Sequence, residues 1–176
     1  MRVFAGIAAA AILVAACGGT AAAPSPSPTA SPTPSPSPTP ANTFKAELKA
    51  SNETPPITDA EASCSGTATV TLSTTSVKFD VSITGCPATT AINIGHIHEG
   101  AAGVAGPVKI STGLAAGDLT LTGGAVTFSR TATPSGPPAW DASLISAIIA
   151  NPAGYYVNFH SGVHGGGVIR GQLTKA

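Results

Sequence analysis

The sequence predicts an all-β fold, an antiparallel Greek-key β-sandwich with one short helix. Three observations carry this prediction. Short runs of alternating apolar and polar residues recur through residues 42–176, turns rich in Gly, Pro and Asn separate them, and one segment has helical spacing. Successive strands joined by short turns pair antiparallel, and their apolar faces must be covered by a second layer.

The elements follow in order. Residues 43–48 (TFKAEL) alternate and open the domain, and residues 52–56 (NETPP) form a loop because adjacent prolines cannot donate to a ladder. Residues 66–73 and 77–84 read as a hairpin turning at Thr74 and Thr75. Placing Val70 and Leu72 on one face with Val77, Phe79, Val81 and Ile83 requires paired residue numbers with an odd sum. Cys64 and Cys86 flank this hairpin but have an even sum. A disulfide between them therefore requires an extra residue, a bulge at Gly66 or Gly85.

Residues 90–98 read as the next strand, residues 100–106 as a Gly-rich loop, and Pro107 to Ile110 as the start of another strand. Residues 119–128 read as two short strands around Gly123 and Gly124. Asp141 is placed to cap a helix carrying Leu144, Ile145, Ile148 and Ile149, which Asn151 and Pro152 stop. Residues 155–159 and 167–173 complete the strands.

The N-terminal segment stands outside this fold. Arg2 precedes an apolar run, residues 3–16, that is too short to span a bilayer as a mature helix. The run ends in Val14, Ala15, Ala16 and Cys17, which resembles a bacterial lipobox. The expected product is a chain beginning at lipidated Cys17, after removal of residues 1–16, and anchored to the extracytoplasmic face of the cell membrane. Residues 17–41 then form a linker. Eight prolines among residues 24–40, with Ser, Thr and one Ala, cannot build a core. In polyproline II, at about 3.1 Å per residue, this spacer reaches roughly 50 Å.

Residues 42–176 are one domain's worth of chain. Without Arg2 the chain carries seven basic and eight acidic side chains. It has no basic run, which argues against nucleic acid as a partner. With Cys17 spent on the anchor, Cys64 and Cys86 remain as an even pair in an oxidising compartment, where a disulfide is the default.

The histidines carry the chemistry. His96 and His98 are one residue apart in a strand-like run, so they share a face. Ile97 then enters the core and the two imidazoles point away from it. By the same parity Val157 and Phe159 face inward, leaving Asn158 and His160 outside. Ile92 and Ile94 share the histidines' parity, so that face is not wholly polar. His160 and His164 form the second pair. Imidazoles from two neighbouring strands suit copper or zinc. The competing reading is a hydrogen-bonded cluster in which histidines bond loop carbonyls and Glu53 and Glu99 tie to Arg170.

Phe44, the Asn52-to-Pro56 run, His96-Ile97-His98 with Gly103 and Gly106-Pro107-Val108 after it, Tyr156 to His160, and Ile169 to Leu173 together resemble the CHRD domain, named for chordin. The resemblance covers nearly all of residues 43–174. It implies an all-β extracellular module whose bacterial members largely lack an assigned activity. His164 departs from the family pattern, which has a short Asn-Pro-Gly loop there. More locally, the His-x-His-Glu strand and its Gly-rich loop are similar to the copper strand of copper-zinc superoxide dismutase. That likeness implies His96 and His98 as ligands with His160 as a third. The bridging histidine and zinc subsite have no counterpart, so a dismutase-like enzyme is only a remote alternative.

Catalytic patterns are otherwise missing: there is no nucleophile elbow, phosphate loop or paired-carboxylate arrangement. The expected function is a non-catalytic binding or display module at the cell envelope, monomeric, facing an unidentified envelope protein or ligand. Copper or zinc binding through His96, His98 and His160, with His164 as a further candidate, is the alternative.

Overall fold

Nine strands, one α-helix and three 3-10 turns make up the computed structural model, which describes residues 42–176. The expected signal peptide, Cys17 and the linker lie outside the described residues. Among the described residues, no helix is long and apolar enough to cross a membrane.

The first three strands form a meander: β1 (Asn42–Lys49), β2 (Ser65–Leu72) and β3 (Val77–Thr84). Period-two alternation sends Phe44, Ala46 and Leu48, then Ala68, Val70 and Leu72, then Val77, Phe79, Val81 and Ile83 into one core. Val70 pairs with Phe79, the odd-sum register predicted for the hairpin. The extra residue that the disulfide requires falls at Gly85. Gly66 keeps its place in the ladder opposite Ile83, whereas Gly85 adopts φ +71°, a left-handed conformation open to a residue without Cβ. Cys64 and Cys86 then meet as a disulfide with Cα atoms 4.3 Å apart.

The remaining strands are β4 (Ile92–Glu99), β5 (Val108–Ser111), β6 (Val126–Ala132), β7 (Tyr155–Ser161), β8 (Ile169–Gln172) and β9 (Thr174–Lys175). All pairings are antiparallel, in the order β5-β4-β7-β8-β1-β2-β3-β6, with β9 also on β1. The two layers of the expected sandwich are thus halves of one curled, nearly barrel-shaped sheet. Phe128 of β6 meets Phe159 of β7 edge-on across the core, ring centroids 5.7 Å apart.

Helix α1 (Ala142–Ala150) forms where helical spacing placed it. The Asp141 carboxylate accepts from the Ser143 and Leu144 amides, and Ile145 and Ile148 are buried. One expected element is absent. Residues 119–121 form no strand, and Thr122 and Ala125 make only an isolated bridge around Gly123 and Gly124 before β6 begins. This turn is held by Cys86, whose amide donates to the Gly124 carbonyl. It docks on the disulfide instead of extending the sheet.

A second departure lies in β4. Pairing with β7 shifts between Ile92 and Ile94, placing a bulge at Asn93. Ile92 therefore turns into the core while Ile94 stays on the outer face, 38% exposed. The shared parity expected of Ile92 and Ile94 fails at this extra residue.

A buried tri-histidine centre

The inner face of β4 and β7 follows the sequence reading: Ile97, Val157 and Phe159 are fully buried in the core. Over β7 the outer face is not open to water. Every residue of β7 is buried, including outward-pointing Tyr156, Asn158 and His160. Residues after β1, the Gly-rich β4–β5 loop and the β7–β8 loop all contribute polar contacts to this face. Strand alternation aims the side chains correctly, but these loops bury them.

Under the loops, His96, His98 and His160 converge. Each offers one ring nitrogen, and the three nitrogens lie within 4.8 Å of one another. His96 Nδ1 is 3.2 Å from His160 Nε2. Ring centroids are 5.4 Å apart for His96 and His98, and 5.1 Å apart for His96 and His160. His98 and His160 are buried and His96 is partly exposed.

Backbone carbonyls set the tautomers of two rings. His98 Nδ1 is 2.9 Å from the Gly106 carbonyl oxygen, and His160 Nδ1 is 2.9 Å from that of Gly165. A carbonyl only accepts, so both Nδ1 atoms carry the proton and both Nε2 atoms keep a lone pair, that of His160 accepting from His96 Nδ1 in the metal-free cluster. His98 Nε2 is buried with no hydrogen-bond partner. This is the arrangement of metal-ligating histidines, in which the outer nitrogen donates to a carbonyl and the inner one is bare.

The cluster resists protonation. Burial, reinforced by the neighbouring His160 and His98, pushes His96 down to about 4. Burial likewise lowers His98 and His160, although their carbonyl hydrogen bonds oppose the shift. The three imidazoles are therefore neutral, lone-pair-bearing groups at neutral pH.

A second buried layer supports the first. Tyr156 stacks on His98, with centroids 5.0 Å apart, and its hydroxyl accepts from the Gly106 amide at 3.1 Å. The Arg170 guanidinium lies 4.8 Å from the other ring partner in this stack, the Tyr156 centroid. Arg170 Nε donates to the Asn52 carbonyl at 2.6 Å, Nη1 to the Val104 carbonyl at 3.0 Å, and Nη2 to the Thr54 hydroxyl. Glu53 sits 3.6 Å from Arg170 Nε and accepts from Asn158 Nδ2. Burial raises Glu53 to about 7, against the opposing pull of Arg170 and Asn158.

Two candidate residues fall elsewhere. The hydrogen-bonded-cluster reading ties Glu99 to Arg170, but Glu99 lies at the surface and pairs with Lys109 at 2.7 Å. It neighbours His98 in sequence, and strand alternation sends it to the opposite side. His164 does not join the other histidines. Its Nε2 contacts Asp59 at 2.9 Å and stands 3.7 Å from Glu61. Ser161 Oγ donates to Glu61 at 2.6 Å and accepts from the His164 amide, so this hydroxyl pins a loop.

The Asp59–Glu61–Ser161–His164 group and the role of Tyr156 were not anticipated. His164's four-residue distance from His160 in a Gly-rich loop was the only sequence signal for the former. Gly106 and Gly165 serve through main-chain carbonyls, which side-chain motifs do not reveal.

Fold and site together define an all-β domain with a largely buried tri-histidine centre. The CHRD domain model matches residues 44–173, and the chain belongs to the CHRD-domain family. No curated protein and no solved structure gives a significant match.

Proposed function

We propose that this chain is a membrane-tethered, extracytoplasmic, non-catalytic binding module whose ligand is one copper or zinc ion held by His96, His98 and His160. One observation carries the reading: three buried or half-buried imidazole nitrogens converge within 4.8 Å, with two of the rings oriented by carbonyls. A purely structural cluster would account for the two carbonyl hydrogen bonds. It leaves the buried Nε2 of His98 bare, one of five such side-chain atoms among the described residues and the only one on an imidazole, where buried polar atoms are normally paired.

The ligand atoms are His96 Nδ1, His98 Nε2 and His160 Nε2. Such nitrogens bind copper or zinc at about 2.0–2.1 Å. The tether rests on the lipobox-like run ending at Cys17, and the spacer on the proline-rich segment after it. Together they would present the domain beyond the membrane surface.

Copper and zinc titrations of the purified full chain test the metal reading, with His96→Ala and His98→Ala as controls. Uptake of one equivalent, lost in both variants, is the expected result. Absence of stoichiometric uptake by the wild-type chain overturns it. Labelling with a radioactive fatty acid, lost in Cys17→Ser, tests the anchor separately.

A further inference from the structure

Resting on the metal reading above, we infer that the ion this centre selects is monovalent copper, in preference to divalent copper or zinc. The donor set supplies three neutral nitrogens and no anion. The nearby carboxylates are engaged elsewhere. Glu53 is held by Asn158 and Arg170, while Asp59 and Glu61 are held by His164 and Ser161.

Charge decides between the ions. His98 and His160 are 8% and 7% exposed, so an ion at their Nε2 atoms is largely withdrawn from water. The Born penalty grows with the square of the charge, making a divalent ion about four times as costly to bury as a monovalent one. A divalent ion recovers that penalty most fully from thiolate or carboxylate ligands, and on three histidines alone it needs a fourth, water-derived ligand in this largely closed site. The charges behind His98 offer it no net help: the Arg170 guanidinium lies over the Tyr156 ring that stacks on His98, and Glu53 is its counter-ion.

Geometry points the same way. Structural zinc takes four ligands in a tetrahedron, and divalent copper favours tetragonal coordination. Monovalent copper, with a filled d shell, is satisfied by three donors. Three nitrogens about 2.0 Å from an ion in a trigonal plane lie about 3.5 Å apart. His96 Nδ1 and His160 Nε2 are already 3.2 Å apart, and all three nitrogens lie within 4.8 Å of one another.

The test compares three ions on the full chain carrying Cys17→Ser, which removes the one thiol outside the disulfide. Ascorbate under nitrogen keeps copper monovalent and leaves the disulfide intact, and bicinchoninate serves as the competing chelator. Divalent copper and zinc are titrated against chelators suited to each. The expected result is one equivalent of monovalent copper bound about a hundredfold or more tighter than either divalent ion. His96→Ala should abolish this preference and His164→Ala should leave it intact. Equal or tighter binding of zinc or divalent copper overturns the inference but leaves the metal reading standing. Failure to bind any of the three overturns both.

Discussion

His98 Nδ1 lies 2.9 Å from the carbonyl oxygen of Gly106, and the amide of that same glycine donates to the hydroxyl of the tyrosine stacked on His98. One residue therefore fixes both the tautomer and the orientation of a central imidazole through the two peptide groups that flank it. Gly106 has no room for a side chain, because a Cβ would overlap the Glu99 carbonyl. Gly106→Ala should shift the loop, misalign His98 and weaken metal affinity about 10- to 100-fold, as loss of an outer-shell partner does. A chelator-competition titration measures this, and unchanged affinity would separate Gly106 from the site.

Acidification should destabilise the metal-free domain between about pH 6.5 and 4. His96, His98 and His160 are all held below their ordinary value, His96 at about 4. The unfolded chain takes up these protons first, so the stability present above 6.5 is lost as pH falls. His96 alone contributes up to roughly 3 kcal/mol. Glu53, raised to about 7, acts in the opposite direction, since the folded chain holds its proton from 4.5 upward while the unfolded chain releases it. Glu53→Gln should therefore steepen the pH dependence by up to about one proton. Urea unfolding across this range, with a chelator present, reads both slopes.

Arg170→Ala should be among the most damaging single changes. It removes donors to Asn52, Val104 and Thr54 and the cation that opposes the burial-driven protonation of Glu53. Breaking one partner of a buried pair costs about 3–5 kcal/mol. Arg170→Lys keeps the charge but cannot reproduce the fork, and should recover only part of the loss. Denaturation midpoints measure both, and a change below about 1 kcal/mol in Arg170→Ala would contradict the assigned hub role.

Replacing Cys64 and Cys86 with serine should cost roughly 3 kcal/mol, the chain-entropy value for a loop of this size. The effect should spread to the 3-10 turn Ala60–Ser63, which immediately precedes Cys64 and carries Glu61 against Ser161. Hydrogen exchange at the Ala62 and Cys64 amides reports that loosening.

His164→Ala should lose no more than about 1 kcal/mol, because its contact with Asp59 is largely exposed. Metal stoichiometry should remain unchanged. Reduced stoichiometry would place His164 among the ligands after all.

Much of this protein is legible from its sequence, because a strand's side-chain period is two wherever the strand lies. Alternation located β1, β2 and β3, set the Val70–Phe79 register, and demanded the extra residue found at Gly85. It also put His96, His98, Asn158 and His160 on the side away from Ile97, Val157 and Phe159. The capped helix was equally local, written in Asp141 and the spacing of its isoleucines.

Only tertiary structure decided what covers that outer side. Alternation says which residues share a face but not whether water or another segment lies against it. The loops over β4 and β7 come from distant parts of the chain, and their carbonyls and side chains turn an apparently outward face into a second, polar interior. A single bulge at Asn93 redirected Ile92, since an inserted residue breaks the period on which the reading depends. Distance, not sequence proximity, then excluded His164 and Glu99 and left His96, His98 and His160 as the centre.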